Sequence, residues 1–186
     1  MGYDVITITP TLSAVADDYG DNEVLFTSTA VELPHRNCKI LDIFAIWDDD
    51  QLSTTNTREF IVLFFKENTN NLGTVAGNPT ITGAELKENV FLGAKRLVNQ
   101  NSLSIGASSL HGGRVEGDSG AFPHLFVGQH LNDTGGSAST NTEMVIEEGS
   151  TKNTCYIQGL YEVGEGSSGT DTFAADSLTI TISVEY

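Results

Sequence analysis

The residues that could do chemistry are few and widely spaced. Gly117-Asp118-Ser119-Gly120 sets a serine between glycines, the local form of a nucleophile whose neighbouring N–H groups could build an oxyanion hole. His35, Asp48-Asp49-Asp50 and Ser119 also follow one another in an order that a Ser/His/Asp triad can use. Against this, His35 lacks a small apolar setting, and Ser119 is followed at one remove by Ala121-Phe122 within a stretch already rich in glycine. We read the tetrapeptide as a chance match and expect no hydrolase activity. Asp48, Asp50 and Glu59 occupy the first, third and twelfth places of a calcium loop. Leu52 then stands where an oxygen ligand is needed, and Ser53 where the turn demands glycine. A solvated acidic turn is the expectation. His35, His111, His124 and His130 form no i, i+4 pair and have no carboxylate at ligand spacing. Cys38 and Cys155 are far apart in sequence and lack CxxC spacing, so two separate buried thiols are expected. The expectation is a protein without enzymatic activity, cofactor or metal.

What could position any site is a β framework. Two apolar runs, residues 40–47 (Ile-Leu-Asp-Ile-Phe-Ala-Ile-Trp) and 60–65 (Phe-Ile-Val-Leu-Phe-Phe), have strand length, carry many β-branched and aromatic residues, and contain neither Gly nor Pro. A strand with one wet face alternates apolar and polar, and these runs do not, so both of their faces should be covered. Residues 3–9 and 24–31 read as further strands, closed by Pro10 and Pro34. The last strand is the cleanest: Leu178, Ile180, Ile182, Val184 and Tyr186 alternate with Thr179, Thr181, Ser183 and Glu185. Thr82-Gly83-Ala84-Glu85 has the form of a capping box, with Leu86 and Val90 behind it, and opens the one short helix we expect, over residues 82–89. The fold class is therefore all-β: an antiparallel β-sandwich or jelly-roll-like barrel with long Gly/Ser-rich loops and at most one short helix. A single domain over residues 1–186 is expected, with surface excursions near 106–120 and 131–141.

The formal charge is −16, from 25 acidic and 9 basic residues. Nucleic acids and anionic membranes both call for clustered Lys and Arg, so neither is an expected partner. No apolar run approaches the length of a membrane span, and no basic segment followed by an apolar core opens the chain, so synthesis in the cytosol without an export signal is expected. Asn132-Asp133-Thr134 has the form of a glycosylation acceptor that such a chain would not use. Phe60, Val62 and Phe64 point to one side of their strand, and Ile61, Leu63 and Phe65 to the other. One set can fill the core between the sheets. The other would then be an oligomer interface or docking face, since Gly/Ser-rich loops have little apolar surface with which to cover it.

Several stretches resemble the head decoration, or capsid cement, proteins of tailed bacteriophages. They are Val5-Ile6-Thr7-Ile8-Thr9-Pro10-Thr11-Leu12, the expected hairpin of 40–48 with 60–65, Asn71-Leu72-Gly73-Thr74, Ile81-Thr82-Gly83-Ala84-Glu85 and Asp176-Ser177-Leu178-Thr179-Ile180. The resemblance implies a non-enzymatic virion protein on the outer surface of the capsid, assembled in the host cytoplasm. It would be a homotrimer that binds the major capsid protein and bridges its subunits. A protein of another class, a carbohydrate- or receptor-binding sandwich such as a tail-fibre head, is the alternative, with Trp47 beside the acidic turn as its aromatic platform.

Overall fold

The computed structural model describes residues 2–12, 19–35, 38–48, 58–97, 102–105, 108–114, 126–127, 154–163 and 173–186. In chain order they form β1 (Tyr3–Ile8), β2 (Val24–Glu32), β3 (Cys38–Asp48), β4 (Arg58–Phe65), α1 (Gly83–Glu88), β5 (Phe91–Leu97), β6 (Ser102–Ile105), β7 (Ser108–Arg114), β8 (Phe126–Val127), β9 (Thr154–Val163) and β10 (Leu178–Glu185). All pairings are antiparallel. One sheet runs β1-β10-β3-β7-β6, with β8 also pairing the start of β3, and the other runs β2-β9-β4-β5. The two apolar runs, β3 and β4, are thus not hairpin partners. They lie in opposite sheets, each flanked by strands on both sides.

The sheets share one core. The alternation in β10 puts Leu178, Ile180, Ile182 and Val184 inside, facing Phe60, Val62 and Phe64 of β4 and Ile157 and Tyr161 of β9 across the interior. Burial of each such side chain stabilises the fold by roughly 1.5–3 kcal/mol. One end of the sandwich is filled by rings. Phe173 stacks on Trp47 at 4.7 Å, with Tyr19 at 5.0 Å and Tyr161 at 5.5 Å, while Trp47 meets the edge of Phe60 at 5.7 Å. Such tilted and edge-on pairs are the favoured aromatic geometries. In mid-sheet the fully buried Phe26 ring lies on Gly159 of β9. A Cβ there would come within 2.3 Å of the ring, so the glycine is required by the packing.

One expectation about loops needs correction. The span 106–120 contains β7, which pairs along β3 from Asp42↔Arg114 to Asp48↔Ser108 in spite of its Ser and Gly content. A full ladder with a central apolar strand outweighs weak local propensity. The helix forms at its expected place. Thr82 Oγ accepts from Glu85 N, and Glu85 Oε2 accepts from Thr82 N at 2.7 Å, closing both halves of the capping box. These bonds hold the Glu85 carboxyl below its usual range.

Among the described residues β1 is an edge strand. Gly2 and Tyr186 exchange both backbone hydrogen bonds, so Tyr3, Val5 and Thr7, in the alternate positions, turn their N–H and C=O groups to the free side. The middle donor of that row is already used: Val5 N donates to Asp4 Oδ1 at 2.8 Å.

Candidate functional site

Much of the outer face of the β2-β9-β4-β5 sheet is covered by the chain itself. After β4, residues 66–90 cross this face as a strap before β5 begins, and Leu72, Ile81 and Leu86 pack on Val24, Leu63, Phe65, Tyr156 and Leu160. The strap is fixed by two buried amides. Gln158, outward on β9 opposite Leu63, accepts from Leu72 N at 2.8 Å and donates to Asn70 O at 3.2 Å. Asn89 accepts from Thr69 N and Asn70 N and donates to Asn70 O. Buried amides are tolerable because their polar atoms are bonded.

This geometry closes most of the face expected as the interface. Phe60, Val62 and Phe64 are in the core between the sheets, Phe65 is fully buried under the strap, and Ile61 and Leu63 are half-buried. The expectation that loops had too little apolar surface overlooked residues 66–90, where Leu72, Ile81 and Leu86 stand among the Asn, Thr and Gly and reach the sheet.

On the strap-covered sheet Phe91 of β5, beside Phe65, stays exposed, and the other sheet leaves more than one large apolar side chain open. On the outer side of β3, Phe44 and Ile46 are 37% and 39% exposed, alternating with buried Ile43, Ala45 and Trp47. Their neighbours in β10 are Thr181 and Thr179, and in β7 the backbone position opposite Phe44 is Gly112. Small residues on both sides leave the Phe44 ring standing clear. Beyond β10, Val5 lies opposite Ser183 and Tyr3 opposite Glu185, exposed at 61% and 65%. Tyr3 Oη donates to Glu185 Oε1, and the carboxylate raises the tyrosine pKa. The face is therefore shallow and apolar along β3 and β1, with Thr and Ser between. The sequence signal was present: Phe44 and Ile46 share a period-two set that β3 cannot direct inward together with Ile43, Ala45 and Trp47.

The other candidates do not converge. His35 precedes β3 and Asp48 ends it, so a strand of roughly 30 Å or more, at about 3.3 Å per residue, separates them. The His35 ring instead stacks on Tyr186, 6.0 Å away. Glu59 is paired with Arg96 at 2.7 Å, and Arg96 also bonds Glu162, so one guanidinium bridges two carboxylates that face each other across β4 and β9. Trp47 is fully buried and cannot serve as a surface platform. His111 takes a place in β7 opposite Ala45. Both thiols are buried; that of Cys38 donates to His35 O at 2.9 Å, and burial pushes the Cys155 thiol up to about 12. Among the described residues no group of three His, Cys, Asp or Glu could hold a metal, and no helix is long and apolar enough to cross a membrane. Asp49, Asp50, Leu52, Ser53, the tetrapeptide with Ser119, His124, His130, Asn132 and the excursion 131–141 lie outside the described residues. Compared with protein-family models, curated proteins and solved structures, the chain matches none.

Proposed function

We propose that this protein is a non-enzymatic structural component of a phage virion that binds the outside of the capsid, bridges subunits of the major capsid protein, and acts as a homotrimer. The observation that carries the reading is the asymmetry of the two outer faces. One sheet is largely roofed by its own strap, which leaves Phe91 exposed at the β5 edge, while the other leaves Phe44 and Ile46 open on its central strand, with Val5 and Tyr3 on the same side. Uncovered large apolar side chains on a framework with no convergent reactive groups among the described residues suit docking better than turnover. The acidity of −16 suits a surface that stays soluble and keeps away from packaged DNA. The carbohydrate-binding alternative loses its platform with Trp47 in the core.

The test is co-sedimentation with empty phage heads that lack the protein. Wild type should pellet with them, and Phe44→Asp, at a position already partly in water, should keep its circular dichroism spectrum but remain in the supernatant. Equal pelleting of both proteins would remove β3 from the docking face. A wild type that never pellets, and sediments as a monomer, would remove the proposal itself.

A further inference from the structure

We infer that residues 66–90 open and close over the folded sandwich as one body, and that opening bares a second apolar face on the β2-β9-β4-β5 sheet. Three features point to this. First, the strap has a closed neck: Lys66 N donates to Val90 O at 3.1 Å and Glu67 N to Asn89 O at 3.0 Å, so its two ends stay together whether or not the rest is docked. Second, the strap is bonded within itself. Thr80 N and Ile81 N both donate to Leu72 O, the Asn89 side chain ties residues 69 and 70 to the end of α1, and the capping box closes the start of the helix. Third, its attachments among the described residues can be named singly. They are the small apolar cluster, the packing of Val75 and Ala76 against the main core, the two Gln158 bonds, the exchange of Val24 N→Gly77 O and Ala76 N→Val24 O, both 2.9 Å, and Ser28 N→Asn71 Oδ1 at 3.3 Å.

A unit that keeps its own hydrogen bonds when it lifts has no internal structure to lose. Gln158 and the Val24 backbone would meet water when released, so opening strands no polar group in an apolar place. The bared surface would be Leu63, Phe65, Tyr156 and Leu160, with the backbone of Val24 on the β2 edge beside them. The inference does not depend on the capsid reading, because it concerns the opposite sheet.

Residue-resolved amide exchange tests it, through the pattern of amides and not their mean rate. Lifting as one body exposes the amides of Leu72, Ala76 and Val24 together, while those of Thr80 and Ile81 remain bonded within the strap. The first three should share one protection factor, at least a hundredfold below that of Ile180 and Ile182 in β10, and Thr80 and Ile81 should be slower than the three. Gln158→Ala should speed the three by about tenfold and leave β10 unchanged. If that variant does not fold, Leu86→Ala, which trims the apolar cluster without touching a hydrogen bond, should speed the same three. The inference fails if the strap amides are as slow as β10, which would make the molecule one cooperative unit. It fails equally if Thr80 and Ile81 exchange along with Leu72 and Ala76, since the strap would then fray and not lift.

Discussion

At Val90 a β-branched residue has φ 52°, in the left-handed region, immediately after the C-cap Asn89 of α1. Helices favour glycine there because a Cβ crowds the following carbonyl. Val90→Gly should therefore stabilise the fold by about 1 kcal/mol, seen as a higher urea midpoint with unchanged m-value. Gly159 carries the opposite prediction. An added methyl collides with a buried ring, so Gly159→Ala should destabilise by about 1–3 kcal/mol, and Phe26→Leu in the same chain should recover part of the loss, an interaction that a double-mutant cycle measures. Cys155 gives a pH dependence with a definite sign. Its thiol is pushed from about 9 to about 12 mainly by burial, so the unfolded chain ionises there before the folded one. The contribution is intact below about pH 9 and is lost as pH rises towards 12, with a ceiling of about 4 kcal/mol. Chemical denaturation at pH 8 and pH 10.5 should show the fall, and Cys155→Ala, though less stable at neutral pH, should show a shallower one.

Among the elements, the ones readable from sequence were those whose signal is local. The period of two in β10 reflects one wet face and one dry, and the capping box of α1 is written in two residues three apart. β7 was not readable, because Ser108, Ser109, Gly112 and Gly113 have weak strand preference and are held by the ladder to β3. Tyr19 and Phe173 were missed for a related reason: each lies in a segment of loop composition and enters the core only because the ring cluster at the Trp47 end accepts it. The absence of alternation in β3 and β4 was read as coverage of both faces. That held for most of β4, roofed by the strap, while in β3 the same pattern marked the open face with Phe44 and Ile46. A pattern of apolar residues tells that water is excluded somewhere, not whether the chain or a partner excludes it. The Glu59–Arg96–Glu162 bridge is an element-scale contact with its own test. Removal of the 56% exposed arginine by Arg96→Ala leaves two carboxylates opposed on neighbouring strands, at a cost of roughly 0.2–1 kcal/mol, and the deficit should shrink in 1 M salt as the repulsion is screened.

Among the described residues the two sheets are unequal: one is largely roofed by residues 66–90, the other leaves Phe44 and Ile46 exposed, and β1 ends its sheet. If the roof is a separate body, thermal unfolding monitored at the strap should precede that of β10, and the difference should widen in Gln158→Ala. The free edge has a consequence of another kind. A bare strand edge is a template on which the same edge of a second copy can pair, closing a stray dimer. Asp4 obstructs this twice, by taking the central Val5 N–H that a newcomer would need and by placing a fixed negative charge where a second Asp4 would approach. On this account, Asp4→Val should leave the circular dichroism spectrum unchanged yet raise the sedimenting mass at concentrations where wild type keeps its own, so that one carboxylate at the rim keeps copy from pairing with copy.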